Sequence, residues 1–146
     1  MCNKKNKIIK ILFNVILLLG AVYVCMNFRI LRVSGESMAP TLKDNQFKII
    51  RKSDFYENKD IIVFKKDSES YVKRVIAIDG DRVELKEGKV YINNILQTNY
   101  NYSGEKKVFN LKEDEFFVIG DNYQNSIDSR AFGVIKENDI IGKLLA

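Results

Sequence analysis

The sequence predicts a mainly β protein: an antiparallel β-sheet or barrel-like domain preceded by a single N-terminal transmembrane helix. Three observations carry that prediction. Lys10 and Arg29 enclose 18 uncharged residues. From residue 29 onward, short runs rich in Ile, Val, Phe and Tyr alternate with turn residues. No sustained helical period appears among those runs, although Leu111–Glu115 and Ile135–Asp139 have room for a turn or two.

The N-terminal element comes first. As a helix, 18 residues rise through roughly 27 Å, close to the ~30 Å hydrocarbon core of a bilayer. Ile8 and Ile9, with the snorkelling stem of Lys10, make up the difference. Asn14 and Asn27 are mild penalties near the two ends. Lys4, Lys5, Lys7 and Lys10 place the N-terminus in the cytoplasm and the remainder outside. A cleaved secretory signal, a lipid anchor at Cys25 and a buried core helix are the competing readings. The first lacks a clear A-x-A site, the second has Val24 where a small residue is wanted, and the third fits poorly with apolarity on all sides. The expected organisation is a basic cytoplasmic tail at 1–7, a transmembrane anchor at 8–28, and an extracytoplasmic β-rich domain at 29–146.

Strands are expected near Ile30–Val33, Gln46–Arg51, Asp60–Lys65, Tyr71–Ile78, Arg82–Lys86, Lys89–Ile92, Ile95–Thr98, Lys107–Phe109, Glu115–Ile119 and Ile140–Leu144. Asp79-Gly80, Glu87-Gly88 and Asn93-Asn94 supply tight turns between them.

Composition narrows the chemistry. Of the formal charge of +5, the four N-terminal lysines account for four, leaving +1 on residues 11–146. The basic balance therefore describes the N-terminus and not a nucleic-acid-binding face. The chain has no histidine, which removes Ser-His-Asp and Cys-His catalysis and most transition-metal sites. Its two cysteines, Cys2 and Cys25, both lie in the N-terminal segment, so no thiol nucleophile or disulfide framework exists beyond it. No cofactor or metal is expected.

Three clusters carry potential chemistry. In S-G-E-S-M-A-P-T-L, Ser34 to Leu42, Ser37 lies on a loop between Gly35 and Pro40. Such a serine alone usually means only a turn. In Y-V-K-R-V-I-A-I-D-G-D, Tyr71 to Asp81, alternation puts Tyr71, Lys73, Val75 and Ala77 on one face and Val72, Arg74, Ile76 and Ile78 on the other. Burial among such neighbours disfavours the charged amine and yields a proton acceptor near neutrality; a lysine snorkelling from a sheet edge is the plainer alternative. Arg74 cannot serve as a base, since guanidinium stays protonated. The third cluster, G-D-N-Y-Q-N-S-I-D-S-R-A-F-G, Gly120 to Gly133, is dense in groups that bond their own backbone, and a structured polar loop accounts for it alone. Asp128 and Arg130 can pair within it, and Ser126 and Ser129 offer hydroxyls. With histidine absent, lysine is the remaining base for Ser37, and Lys73 has the most apolar setting. Lys65, Lys66, Lys106 and Lys107 come as adjacent pairs in polar surroundings.

Together these segments resemble the three signature segments of type I signal peptidases, in family order and after an anchor, with the compactness of the Gram-positive branch. The resemblance implies an antiparallel β peptidase domain against the outer membrane surface. It implies Ser37 as nucleophile, Lys73 as general base, Ser126 as the hydroxyl that bonds the lysine amine, and Asp128 and Arg130 as a pair holding the site. It further implies secretory preproteins as substrates, bound as extended strands with small residues at the first and third positions before the cut. The bilayer is then a partner and nucleic acid is not. The chain departs from some members in having Gly35 two positions before the nucleophile, where they carry a serine that completes the oxyanion hole. Ser34 is then a candidate for the second donor. D-G-D also replaces P-G-D in the middle segment. A self-cleaving Ser-Lys regulator and a catalytically inactive preprotein-binding relative are the rival readings.

Overall fold

A computed structural model describes residues 2–145; Met1 and Ala146, the outer limits of the expected tail and domain, lie outside the described residues. The first element is a helix, α1 (Cys2–Asn27). Its most apolar stretch, within Lys5–Asn27, has a mean hydropathy of 2.4 and is 0% buried, so a buried core helix is not what this segment forms. An apolar surface of that extent has no water-compatible partner within the protein.

Among the described residues eleven strands follow: β1 (Phe28–Arg32), β2 (Phe47–Arg51), β3 (Ile61–Lys66), β4 (Glu69–Ala77), β5 (Arg82–Lys86), β6 (Lys89–Ile92), β7 (Ile95–Asn101), β8 (Lys107–Asn110), β9 (Glu115–Ile119), β10 (Ile135–Lys136) and β11 (Ile140–Leu144). A short helix, α2 (Ser129–Phe132), interrupts the series. The mainly antiparallel β fold behind an apolar helix is as the sequence predicts. The strands make a seven-stranded sheet, ordered β1-β2-β11-β3-β4-β9-β10, and a four-stranded sheet, ordered β7-β6-β5-β8. Helix passes directly into strand at Asn27–Phe28, two residues before the expected strand start, and Lys52 N–H donates to the helix-end carbonyl of Asn27 at 3.1 Å.

Turn chemistry sets the register. Glu87-Gly88 (φ 52° and 75°) and Asn93-Asn94 (φ 50° and 67°) have positive φ at both central residues, the geometry that matches strand twist in two-residue hairpins. Asp67-Ser68 (φ 49° and 70°) does the same between β3 and β4, a hairpin the composition of the turn did not announce. Asp79-Gly80 joins no hairpin. It lies in a turn from Ile78 to Asp81 that carries the chain from one sheet to the other, with Asp81 N–H donating to Ile78 O at 3.0 Å.

Two expectations need correcting. The pairing of β4 with β9 shifts register between Val75 and Ala77, and a bulge of this kind breaks strict alternation. Ala77 accordingly packs with Ile76, Val83 and Phe117 between the sheets, while Ile78 joins Val75 and Phe64 on the other side. Of the two places with room for a helical turn, Ile135–Asp139 forms one, the 3₁₀ turn at Glu137–Asp139 after β10, while Leu111–Glu115 holds no helix. A third apolar cluster, Val33, Met38 and Leu42 with Val72 and Leu144 against it, lies under the loop after β1.

Candidate active site

The loop between β1 and β2 is closed at its base by Val33 N–H donating to Gln46 O (2.8 Å) and Asn45 N–H donating to Val33 O (2.9 Å). Met38 and Leu42 are 1% and 2% exposed. Burying these two side chains fixes the loop against the sheet more firmly than hydrogen bonds at its rim would. Ser37 precedes the buried Met38, in a turn where Ala39 N–H donates to Glu36 O at 3.0 Å. Gly35, at φ 84°, turns the chain into this loop and donates its N–H to Asp44 Oδ1 at 2.8 Å. Among the described residues the Ser37 N–H has no hydrogen-bond partner.

Lys73 stands on β4 opposite Ile62 and is 3% exposed. Its Nζ lies 2.6 Å from Ser37 Oγ, donates to Val72 O at 2.9 Å, and is 5.7 Å from the centre of the Tyr71 ring. Among the described residues no carboxylate forms a salt bridge with it. Burial pushes the amine below the ordinary lysine range, and the charge of Asp128 opposes that only in part. Ser37, Lys73 and Ser126 line one cleft of about 580 Å³, whose apolar walls include Leu31, Val33 and Ile127.

Asp128, 1% exposed, and Arg130 sit behind Ser126. Arg130 grips the carboxylate in fork geometry, Nε to Oδ1 at 2.8 Å and Nη2 to Oδ2 at 2.8 Å. The same carboxylate accepts from Gly120 N–H at 3.1 Å and caps α2 through Arg130 N–H at 3.2 Å. Arg130 also donates to Asn101 O (2.7 Å) and Tyr123 O (2.8 Å), linking β7 to the loop. Ser126 Oγ donates to Asp128 Oδ2 at 2.8 Å and makes no hydrogen bond to Lys73 among the described residues. The hydroxyl expected on the amine is thus turned toward the carboxylate, which is the stronger acceptor.

Sequence reasoning missed three residues here. Asp121 receives a two-pronged bond from Arg74, Nε to Oδ1 at 2.8 Å and Nη2 to Oδ2 at 2.6 Å, tying the third segment to the strand of Lys73. Asn122 N–H donates to Ser37 O at 3.0 Å, and its Nδ2 donates to Glu36 O at 3.1 Å. Gly120 passes so close to the serine loop that a Cβ there would lie 2.5 Å from Ser37 O and collide with Ser126 Oγ. Only the run Gly120-Asp121-Asn122 itself hinted at this, and as turn chemistry it has a simpler explanation. Chemically, the cleft joins a hydroxyl, an amine biased toward its neutral form and an unpaired backbone N–H.

Comparison with known proteins gives a consistent result. Residues 5–146 match the family model described as "Signal peptidase, peptidase S26". The chain is similar to Signal peptidase IB of Staphylococcus aureus, 34% identical over 139 residues that cover 77% of this chain and 73% of that protein. It is also similar to Signal peptidase I U of Bacillus subtilis, 32% identical over 163 residues, covering 95% and 87% respectively. A crystal structure of a signal peptidase I from Enterococcus faecalis aligns with a TM-score of 0.50 at 27% identity, over 62% of this chain and 97% of that one.

Proposed function

The chain belongs to the signal peptidase family, peptidase S26, and from that membership we propose that it removes N-terminal signal peptides from exported preproteins, with Ser37 as nucleophile and Lys73 as general base. One observation carries the catalytic part. The only amine buried beside a hydroxyl among the described residues, Lys73 Nζ, lies 2.6 Å from Ser37 Oγ in a chain without histidine.

The reaction proceeds as acyl transfer. Neutral Lys73 accepts the Ser37 Oγ proton as the oxygen attacks the scissile carbonyl. The Ser37 N–H, free of other partners among the described residues, stabilises the oxyanion. Lys73 then gives its proton to the departing amine of the mature protein, leaving an ester on Ser37. The amine, neutral again, takes a proton from water; the resulting hydroxide attacks the ester, and Ser37 regains its proton as the signal peptide leaves. Asp128, Arg130 and Ser126 support the site from behind. The apolar-walled cleft suits small side chains at the first and third positions before the cut, on a substrate held as an extended strand.

The reading includes a membrane anchor, with the N-terminus cytoplasmic and the catalytic domain outside. The bare apolar surface of α1 behind a lysine cluster supports it. So does the exposed face that continues from it, where Ile30 (76% exposed) opposes Ile49 and Arg32 opposes Phe47. Tail 1–7, anchor 8–28 and domain 29–146 remain the proposed division, and preproteins and lipid the proposed partners.

Incubating the purified full chain in detergent with a preprotein tests this, alongside Ser37→Ala and Lys73→Ala. Cleavage by the wild type and loss in both variants is the expected result. Cleavage surviving either substitution would overturn the dyad, and cleavage of the chain alone would favour a self-processing regulator. Binding without cleavage across several preproteins would favour an inactive relative. Protease accessibility in sealed vesicles checks the orientation.

A further inference from the structure

Asn122 performs no step in that reaction, yet it grips the nucleophile's own backbone on both sides. Its Nδ2 donates to Glu36 O at 3.1 Å and its N–H donates to Ser37 O at 3.0 Å. A peptide unit is a rigid plane, so the Glu36 carbonyl and the Ser37 N–H are opposite ends of one plate. Whatever holds the first end aims the second, and the Glu36 oxygen is shared by two donors, Asn122 Nδ2 and the Ala39 N–H at 3.0 Å. The plate beyond Ser37 is held by its carbonyl, and the absence of a side chain at Gly120 allows that approach.

Asparagine commonly serves its own turn, but here the side chain makes no capping bond to the 3₁₀ turn Tyr123–Asn125 that it precedes. Among the described residues the Ser37 N–H is left unpaired, while the N–H of Gly35 is already committed to Asp44. Gly35 also brings no hydroxyl to share a developing charge. Donation to the carbonyl end of a peptide unit polarises its N–H and strengthens it as a donor. Resting on the peptidase reading above, we infer that Asn122 is a positioning residue, whose side-chain amide aims and polarises the Ser37 N–H toward the oxyanion.

An interaction that matters only once charge develops on the oxygen changes kcat and leaves substrate binding alone. The test compares wild type, Asn122→Ala and Asn122→Asp on one preprotein-derived peptide. It measures kcat, KM, inhibition by a peptide aldehyde that forms a tetrahedral adduct, and thermal melting. Asn122→Ala keeps the backbone bond to Ser37 O. Its kcat is expected to fall about tenfold, short of the roughly 100- to 1,000-fold loss for deleting a direct oxyanion donor. Its KM should stay within about twofold, and the aldehyde should weaken in step with kcat/KM. Asn122→Asp, which sets a carboxylate against a carbonyl, should fall further. A kcat within about twofold of wild type in both variants overturns the inference. Parallel losses in kcat, KM, aldehyde affinity and melting temperature also overturn it, since they describe a residue that merely supports the loop. A wild type that does not cleave, or Ser37→Ala that does, overturns the peptidase reading itself, and that outcome is distinct from both.

Discussion

The two sheets each carry a strand lysine close to a tyrosine ring, and they treat it in opposite ways. In the four-stranded sheet Lys86 lies 4.8 Å from the Tyr91 ring and bonds Glu84 Oε2 at 2.8 Å, with Arg82 on the other oxygen of the same carboxylate. That hydrogen bond holds Lys86 above the usual lysine range and Glu84 below the usual carboxylate range. In the seven-stranded sheet Lys73 lies 5.7 Å from the Tyr71 ring but meets a hydroxyl and a carbonyl instead of a carboxylate, and burial drives it down. Arg82 and Lys86 share the Glu84 carboxylate at alternate positions on β5, whereas the residue two before Lys73 on β4 is Tyr71. A nearby aromatic ring therefore does not decide a lysine's charge; the presence or absence of a carboxylate partner does.

Breaking the contrast completely should have the largest effect. Lys73→Arg keeps a cation but offers no lone pair, and kcat/KM on a preprotein should drop by roughly 10²–10⁴-fold, the span of general-base contributions. Near-normal turnover in steady-state assays would remove the neutral amine from the mechanism. Next comes the support behind it: Arg130→Ala leaves the buried Asp128 carboxylate without its main partner, a loss of about 3–5 kcal/mol by analogy with broken buried pairs. Denaturation of the detergent-solubilised protein should register that loss, with substrate preference little altered.

The contrast can also be sharpened by moving a carboxylate. Tyr71→Glu puts an acid two residues before Lys73, as Glu84 stands before Lys86. It should raise the amine's pKa and lower kcat/KM at neutral pH by about tenfold, with recovery at higher pH. In the wild type the sign is fixed by the depressed amine: activity climbs as pH rises through Lys73's folded pKa, below the ordinary lysine value. Stability climbs as well between the folded and unfolded pKa values, because the unfolded chain binds the extra proton there. A pH–rate profile whose acidic limb does not move in Tyr71→Glu would contradict this. The smallest effect is expected in the other sheet. Lys86→Met should leave cleavage within about twofold of wild type and shift the melting temperature by ~4 °C or less, because the buried Glu84 keeps Arg82 as a partner.

Much of this was legible from residue pattern. Arg82–Lys86, Lys89–Ile92, Glu115–Ile119 and Ile140–Leu144 lie where alternation and turn residues put them, because each is bounded by a local signal. β10 is two residues long and exists through its pairing with Phe116 and Glu115, a tertiary contact with no local period. The four residues of α2 depend on the Asp128 cap, and the bulge beyond Val75 moved Ala77 across the sheet. At the site, Ser37 and Lys73 stand out by residue type and setting. Asp121 and Asn122 do not, since their partners are a guanidinium 47 residues away and backbone carbonyls, which every residue possesses.

On the proposed peptidase reading, the join at Asn27–Phe28 has a consequence for which bond the cleft reaches. Strand follows helix directly and Lys52 is tied to the helix end, so no linker residue separates the domain from its stem. If α1 spans the bilayer, its depth sets the height of the cleft as a fixed rod sets a blade. Each added turn of α1 then raises the blade by about 5.4 Å and shifts which bond of an emerging chain comes within reach.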